Sequence, residues 1–136
     1  MKTIRIFIGA IKHTSKSGVY SITLMDENSN IFSLETKKVS QCSLHRLVLL
    51  AIYDTINQLN DPAIKGKYKY VFYPDNEKIA FEWNQEHLKD NKFSDSTEDK
   101  DLYKKIITLI DKNRNEVIIK GKDSVLTSIS KLGIKK

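Results

Sequence analysis

The hydrophobic period of this chain changes once, near residue 40, and that change limits the folds open to it. Before it, apolar and polar residues alternate with the two-residue repeat of a strand. Ile4, Ile6 and Ile8 share one face of Thr3 to Ile11, with Arg5 and Phe7 on the other. His13 to Gly18 is polar and ends in Ser-Gly, a turn signal. Val19 to Leu24 reads as a second strand, Asp26 to Asn30 as a turn and Ile31 to Val39 as a third strand. Short turns between three strands predict an antiparallel meander.

After residue 40 the spacing becomes helical. Leu44, Leu47, Val48, Ala51, Ile52, Ile56 and Leu59 line one wide face, with Ser40 or Ser43 as the cap, and Asn60-Asp61-Pro62 ends the helix. Tyr68 to Tyr73 reads as an aromatic-rich strand, stopped by Pro74-Asp75-Asn76, which opens a helix through roughly His87. Lys89 to Thr97 lacks apolar periodicity beyond Phe93 and reads as an acidic, mobile loop. Leu102, Ile106, Leu109 and Ile110 give a further helix, ending near Asn113 to Asn115. Val117-Ile118-Ile119 has the continuous apolar character of an interior strand. A last helix from about Ser124 carries Val125, Leu126, Ile129 and Leu132 and stops at Gly133. The order βββαβααβα predicts one α/β domain over residues 1–136, with no internal repeat. Its mixed five-stranded sheet has three antiparallel strands, then two parallel ones, and right-handed crossovers put helices on both faces.

With 136 residues, 40% hydrophobic and 29% charged, the chain has the balance of a soluble globular domain. Its longest apolar run, Leu47 to Ile52, is too short to span a bilayer, so no membrane partner is expected. The alternating N-terminus lacks the unbroken apolar stretch of a signal peptide. The single cysteine, Cys42, cannot form an internal disulfide, which points to a reducing, cytoplasmic compartment. It reads as a small residue at a helix entry rather than a nucleophile, and no Cys/His cluster has zinc spacing. The net charge of +6 is uneven. Glu82 to Asp101 holds seven acids and three lysines, whereas Lys112 to Lys136 holds seven bases and two acids. A basic tail attracts phosphate, although it also serves as a solvated face in a lysine-rich protein.

In order and length the chain resembles ribonuclease HI over nearly its whole extent, on topology and hydrophobic pattern rather than a signature motif. Ile6 to Leu24 matches that family's first hairpin without a gap: Gly9 falls on the glycine of its Asp-Gly-Ser, and Gly18-Val19-Tyr20 on its Gly-Gly-Tyr. Phe72-Tyr73-Pro74-Asp75-Asn76 looks like the fourth strand with its Thr-Asp-Ser ending, and Lys120-Gly121-Lys122 like the ending of strand five. The resemblance implies hydrolysis of the RNA strand of an RNA/DNA hybrid by two magnesium ions held on four carboxylates. Carried over residue by residue, the strand-one aspartate becomes Ile8, and the helix glutamate His45, or Arg46 if the register slips. The fourth-strand aspartate is matched by Asp75, and the last-helix aspartate by Thr127 or a neighbouring serine. The loop histidine is absent, with Lys122-Asp123 nearby. Met1 to Met25 contains no Asp or Glu at all. One carboxylate of four cannot hold two divalent ions, and a cationic side chain beside the site would repel Mg²⁺.

Each candidate also has a structural reading. Asp75, the one catalytic candidate, suits a helix cap. His45 reads as solvent-facing on the polar side of its helix. His13 and His87 lack ligand-spaced partners, and Trp83 reads as core or surface cover. Tyr68, Tyr70 and Phe72 fall on one strand face, packed against helices, and Tyr73 on the other. Lys12, Lys16, Lys120 and Lys122 are the candidates for phosphate, at the end of the sheet where substrate lies in the family. The family's binding element after the second helix is basic, whereas the matching loop here is acidic. The expectation is a catalytically degenerate, metal-free module whose partner is nucleic acid (RNA, DNA or hybrid) or a protein of a nucleic-acid-processing complex. The alternatives are a Mg²⁺- or Mn²⁺-dependent hybrid nuclease with rearranged acids, drawing on Asp75, Asp123, Glu35 or Asp26, and an unrelated small α/β protein.

Overall fold

Strand β1 (Lys2–Thr14) is the axis of the molecule, with a neighbour on each side. A computed structural model describes residues 2–14, 16–40, 42–59, 68–74, 76–83, 99–113 and 116–120. β1 runs antiparallel to β2 (Ser17–Met25), which pairs antiparallel with β3 (Ile31–Ser40). On its other side β1 runs parallel to β4 (Tyr68–Pro74), which runs parallel to β5 (Glu116–Ile119). Among the described residues the sheet order is β3-β2-β1-β4-β5, the mixed five-stranded arrangement expected. β1 is longer than its alternation suggested and carries His13, expected in the turn. The hairpin closes tightly because Thr14 Oγ1 accepts from the backbone N–H of Lys16 and of Ser17, each at 3.1 Å.

Three helices are described: α1 (Leu44–Gln58), α2 (Glu77–Trp83) and α3 (Lys100–Asn113). Ser43 caps α1, its side chain accepting from Arg46 N–H at 3.1 Å. Cys42 sits directly before the cap, buried, and burial raises its thiol pKa. α1 packs on β1 and β2 and against α3. That double contact explains its wide apolar arc: Leu47, Val48, Leu49, Ala51 and Ile52 are all buried. Leu44, assigned to the buried face by spacing, is instead 41% exposed in the first turn. At Gly18 the helix approaches the sheet closely, since a Cβ there would collide with Leu47 Cδ1. The Tyr20 hydroxyl donates to Asp54 Oδ2 at 2.7 Å and ties β2 to α1.

One face of the sheet supplies Ile6, Ile8, Ala10, Tyr20, Ile22, Tyr70 and Phe72 to a core shared with all three helices. Trp83 packs against its margin. Phe7 and Val71, on the opposite face, are buried too, and Phe7 stacks on Tyr73 with ring centroids 4.9 Å apart. The expected last helix, the acidic loop, His87 and the continuation of α2 toward it lie outside the described residues. Among the described residues no helix is long and apolar enough to cross a membrane.

Candidate functional site

In an open sheet with parallel strands, function concentrates at the carboxyl ends of those strands. Here the parallel register sets Ile8 beside Pro74, the last residue of β4. Ile8 has no exposed surface, and Ile22 flanks it on β2. Asp75 lies outside the described residues. The cap of α2 comes from its neighbour: Asn76 Oδ1 accepts from Ile79 N–H at 3.1 Å. Thr127, Asp123 and Lys122 also lie outside the described residues.

His45 is not on a solvent-facing side of α1. It is only 6% exposed, and both ring nitrogens meet carboxylates: Nδ1 is 2.8 Å from Asp99 Oδ2 and Nε2 is 3.0 Å from Glu82 Oε1. Arg46 extends the chain of charges, donating to Asp99 Oδ1 at 3.0 Å and to both oxygens of Asp101 at 3.2 and 3.0 Å. Tyr103 donates its hydroxyl to Glu82 Oε1 at 2.9 Å.

Local chemistry explains the convergence. Two basic residues in the first turn of α1 oppose its dipole, and that turn has no acid of its own. Glu82 from the last turn of α2, Asp99 before α3 and Asp101 in the first turn of α3 supply the missing negative charge. Asp99 adopts a left-handed backbone (φ 54°), which Asp tolerates better than most residues, and its carbonyl accepts from Leu102 and Tyr103 N–H. Hydrogen bonds to Asp101 and Asp99 push Arg46 still further above its ordinary pKa, and Arg46 holds the Asp101 carboxyl below the usual carboxylate range. Sequence spacing missed this cluster because its members lie 37 to 55 residues apart. The only signal was an acidic stretch following two adjacent bases on a helix start.

The candidate lysines divide into two places. Lys12 near the end of β1 and Lys16 in the hairpin are exposed, as is Lys120 just beyond β5. Lys120 N–H donates to Phe72 O at 2.9 Å, which places it level with Tyr73 and Phe7. From strand spacing and rise, Lys12 and Lys120 are about 19 Å apart, too far to act on one phosphate.

No protein-family model matches the chain, and no curated protein matches it in sequence. Solved structures do. The chain is similar to LC11-RNase H1 from a compost metagenome, at 12% identity and TM-score 0.71, covering 96% of this chain and 91% of that one. It is similar to RNase H1 of the halophilic archaeon Halobacterium salinarum NRC-1, at 10% identity and TM-score 0.67, covering 96% and 92%. It is also similar to the RNase H domain of prototype foamy virus, at 13% identity and TM-score 0.63, covering 98% and 90%. The fold is ribonuclease-H-like. LC11-RNase H1 has also been solved in complex with an RNA/DNA hybrid.

The ribonuclease-H-like fold implies a pair of divalent ions, and two of the four carried-over positions can be tested for fit. Ile8 offers no lone pair. His45 has both nitrogens engaged and stands beside the cationic Arg46. Hard Mg²⁺ takes oxygen ligands, and neither residue suits it. Among the described residues, no group of three or more His, Cys, Asp or Glu side chains could hold a metal ion.

Proposed function

We propose that this ribonuclease-H-like domain binds the phosphate backbone of nucleic acid without cleaving it. The observation that carries the reading is Ile8, an alkyl side chain with no exposure, beside the end of β4 in a hairpin free of acids. Two-metal cleavage needs charged oxygens at that point to hold ions against the scissile phosphate. The His45 cluster supports the same reading, since Glu82, Asp99 and Asp101 are engaged by His45 and Arg46. A net charge of +6 and the hybrid bound by LC11-RNase H1 support a nucleic-acid partner over a protein one.

Two acids of an active alternative, Asp26 and Glu35, are poorly placed. Asp26 follows Met25, which pairs with Arg5 toward the start of β1, away from Pro74. Its carboxylate already accepts from Asn28 and Asn30 N–H, each at 2.9 Å, and the Asn30 backbone N–H lowers its pKa most. Glu35 occupies the row of Ile8 but two strands away, about 10 Å by strand spacing.

Filter binding of a labelled RNA/DNA hybrid across a salt series tests the proposal. For four lysine–phosphate contacts, affinity should fall about 100-fold between roughly 50 and 200 mM salt. No retention at any salt, or an affinity indifferent to salt, would remove nucleic acid as the partner and leave a protein of a nucleic-acid-processing complex.

A further inference from the structure

The hairpin lysines have neighbours that their position in sequence conceals. Register across β1, β2 and β3 sets Lys12 in one row with Gly18 and Val39. The next rows hold Ile11, Val19 and Lys38, then Ala10, Tyr20 and Lys37. Lys37 and Lys38 are exposed and lie at the same end of the sheet as Lys12 and Lys16. Strand spacing and rise put Lys37 about 12 Å from Lys12, nearer than Lys120 at about 19 Å.

Among the described residues β3 is an edge strand, and side chains alternate along it. Lys37 therefore projects on the helix-bearing face, in the row of Tyr20, and Lys38 on the opposite face, in the row of Val19. Gly18, without a side chain, separates Lys12 from Val39. Among the residues whose side chains are described, no carboxylate pairs with Lys12, Lys16, Lys37 or Lys38. The acids near the start of α1 are taken up by His45 and Arg46. Four exposed cations at one end of the sheet make a concentrated positive field, the complement of a polyanion.

We infer that the nucleic-acid interface runs across the β1–β2 hairpin onto the edge strand β3, with Lys37 and Lys38 joining Lys12 and Lys16 as phosphate contacts. The inference rests on the proposed nucleic-acid function and relocates its surface, from the ends of the parallel strands to the antiparallel side of the sheet. Four lysines neutralise phosphates by counterion release without reading bases, so binding there is independent of sequence. Lysines on an edge strand also have another use, the prevention of strand-to-strand association.

The two roles separate in one experiment, with hybrid binding measured across salt for the wild type, Lys37→Ala/Lys38→Ala, Lys37→Arg/Lys38→Arg and Lys120→Ala. The alanine pair should lower the log–log salt slope by about two and weaken binding at low salt by at least tenfold. The arginine pair should bind as the wild type does. A wild-type slope kept by the alanine pair while Lys120→Ala lowers it would overturn this interface and leave the nucleic-acid reading intact. So would unchanged binding by an alanine pair that self-associates, which is the mark of edge protection alone. Failure of the wild type to bind would overturn the underlying reading itself.

Discussion

His45→Ala will destabilise the domain by about 2–4 kcal/mol, a fall in Tm of roughly 7–14 °C for a chain of this size. Breaking a buried ion pair by removing one partner typically costs about 3–5 kcal/mol, because the remaining charge stays buried without compensation. Here one imidazole serves two carboxylates, Glu82 and Asp99, which are 19% and 12% exposed. That residual exposure lowers the expected figure. Arg46 still holds Asp99 and Tyr103 still holds Glu82 in the variant, so loss is partial rather than complete. His45→Leu combined with Glu82→Gln and Asp99→Asn should cost less than His45→Ala alone, since it leaves no buried charge unmatched. Thermal melts of these two variants decide the matter. A melt of His45→Ala within about 1 °C of the wild type would mean that the cluster contributes nothing to stability.

Ile8→Asp will have the larger effect. The substitution puts a carboxylate at a fully buried position on the central strand, with Ile22 on one side and Pro74 on the other. An unpaired buried charge costs far more than a lost methyl group, and a domain has only about 5–15 kcal/mol of stability to lose. We expect at least about 4 kcal/mol of destabilisation, with the variant largely unfolded at 37 °C by circular dichroism. Mn²⁺ should not restore the fold. Binding to the native state alone would raise stability with metal concentration, so an Ile8→Asp variant that melts higher in Mn²⁺ would show that the position can still take part in an ion site.

Much of the fold was legible because it depends on local periods. The alternation of Ile4, Ile6 and Ile8 placed Ile6 and Ile8 on the core face. Val117 to Ile119 forms the expected strand but lies at the edge of the described sheet rather than in its interior, with Ile119 alone buried. The helical spacing after Ser43 gave α1, but assigned Leu44 to the core and overlooked Leu49. α1 is covered by α3 as well as by the sheet, and a one-sided amphipathic pattern does not anticipate a second covering element. Asn76 caps α2 although the spacing pointed to its neighbour Asp75, because adjacent Asp and Asn are equally good acceptors and spacing cannot choose between them.

The candidate site was legible only in its negative part. The absence of any acid before Asp26 is a property of the sequence, and Ile8 lies where the hairpin register placed it. The His45 cluster depends on tertiary convergence of α1, α2 and α3. A histidine among polar neighbours on a helix looks exposed until partners from distant segments are known. Lys37 and Lys38 went unnoticed for a related reason: their proximity to Lys12 comes through two strand registers, and neither is visible in either strand alone.

The central claim is that this sheet presents an aliphatic side chain where a two-metal hydrolase needs a carboxylate. Its most direct test is incubation of a labelled RNA/DNA hybrid with excess protein and Mn²⁺, followed by denaturing gel electrophoresis. The hybrid should remain intact. Mn²⁺-dependent cutting of the RNA strand that disappears in Asp75→Asn would contradict the claim.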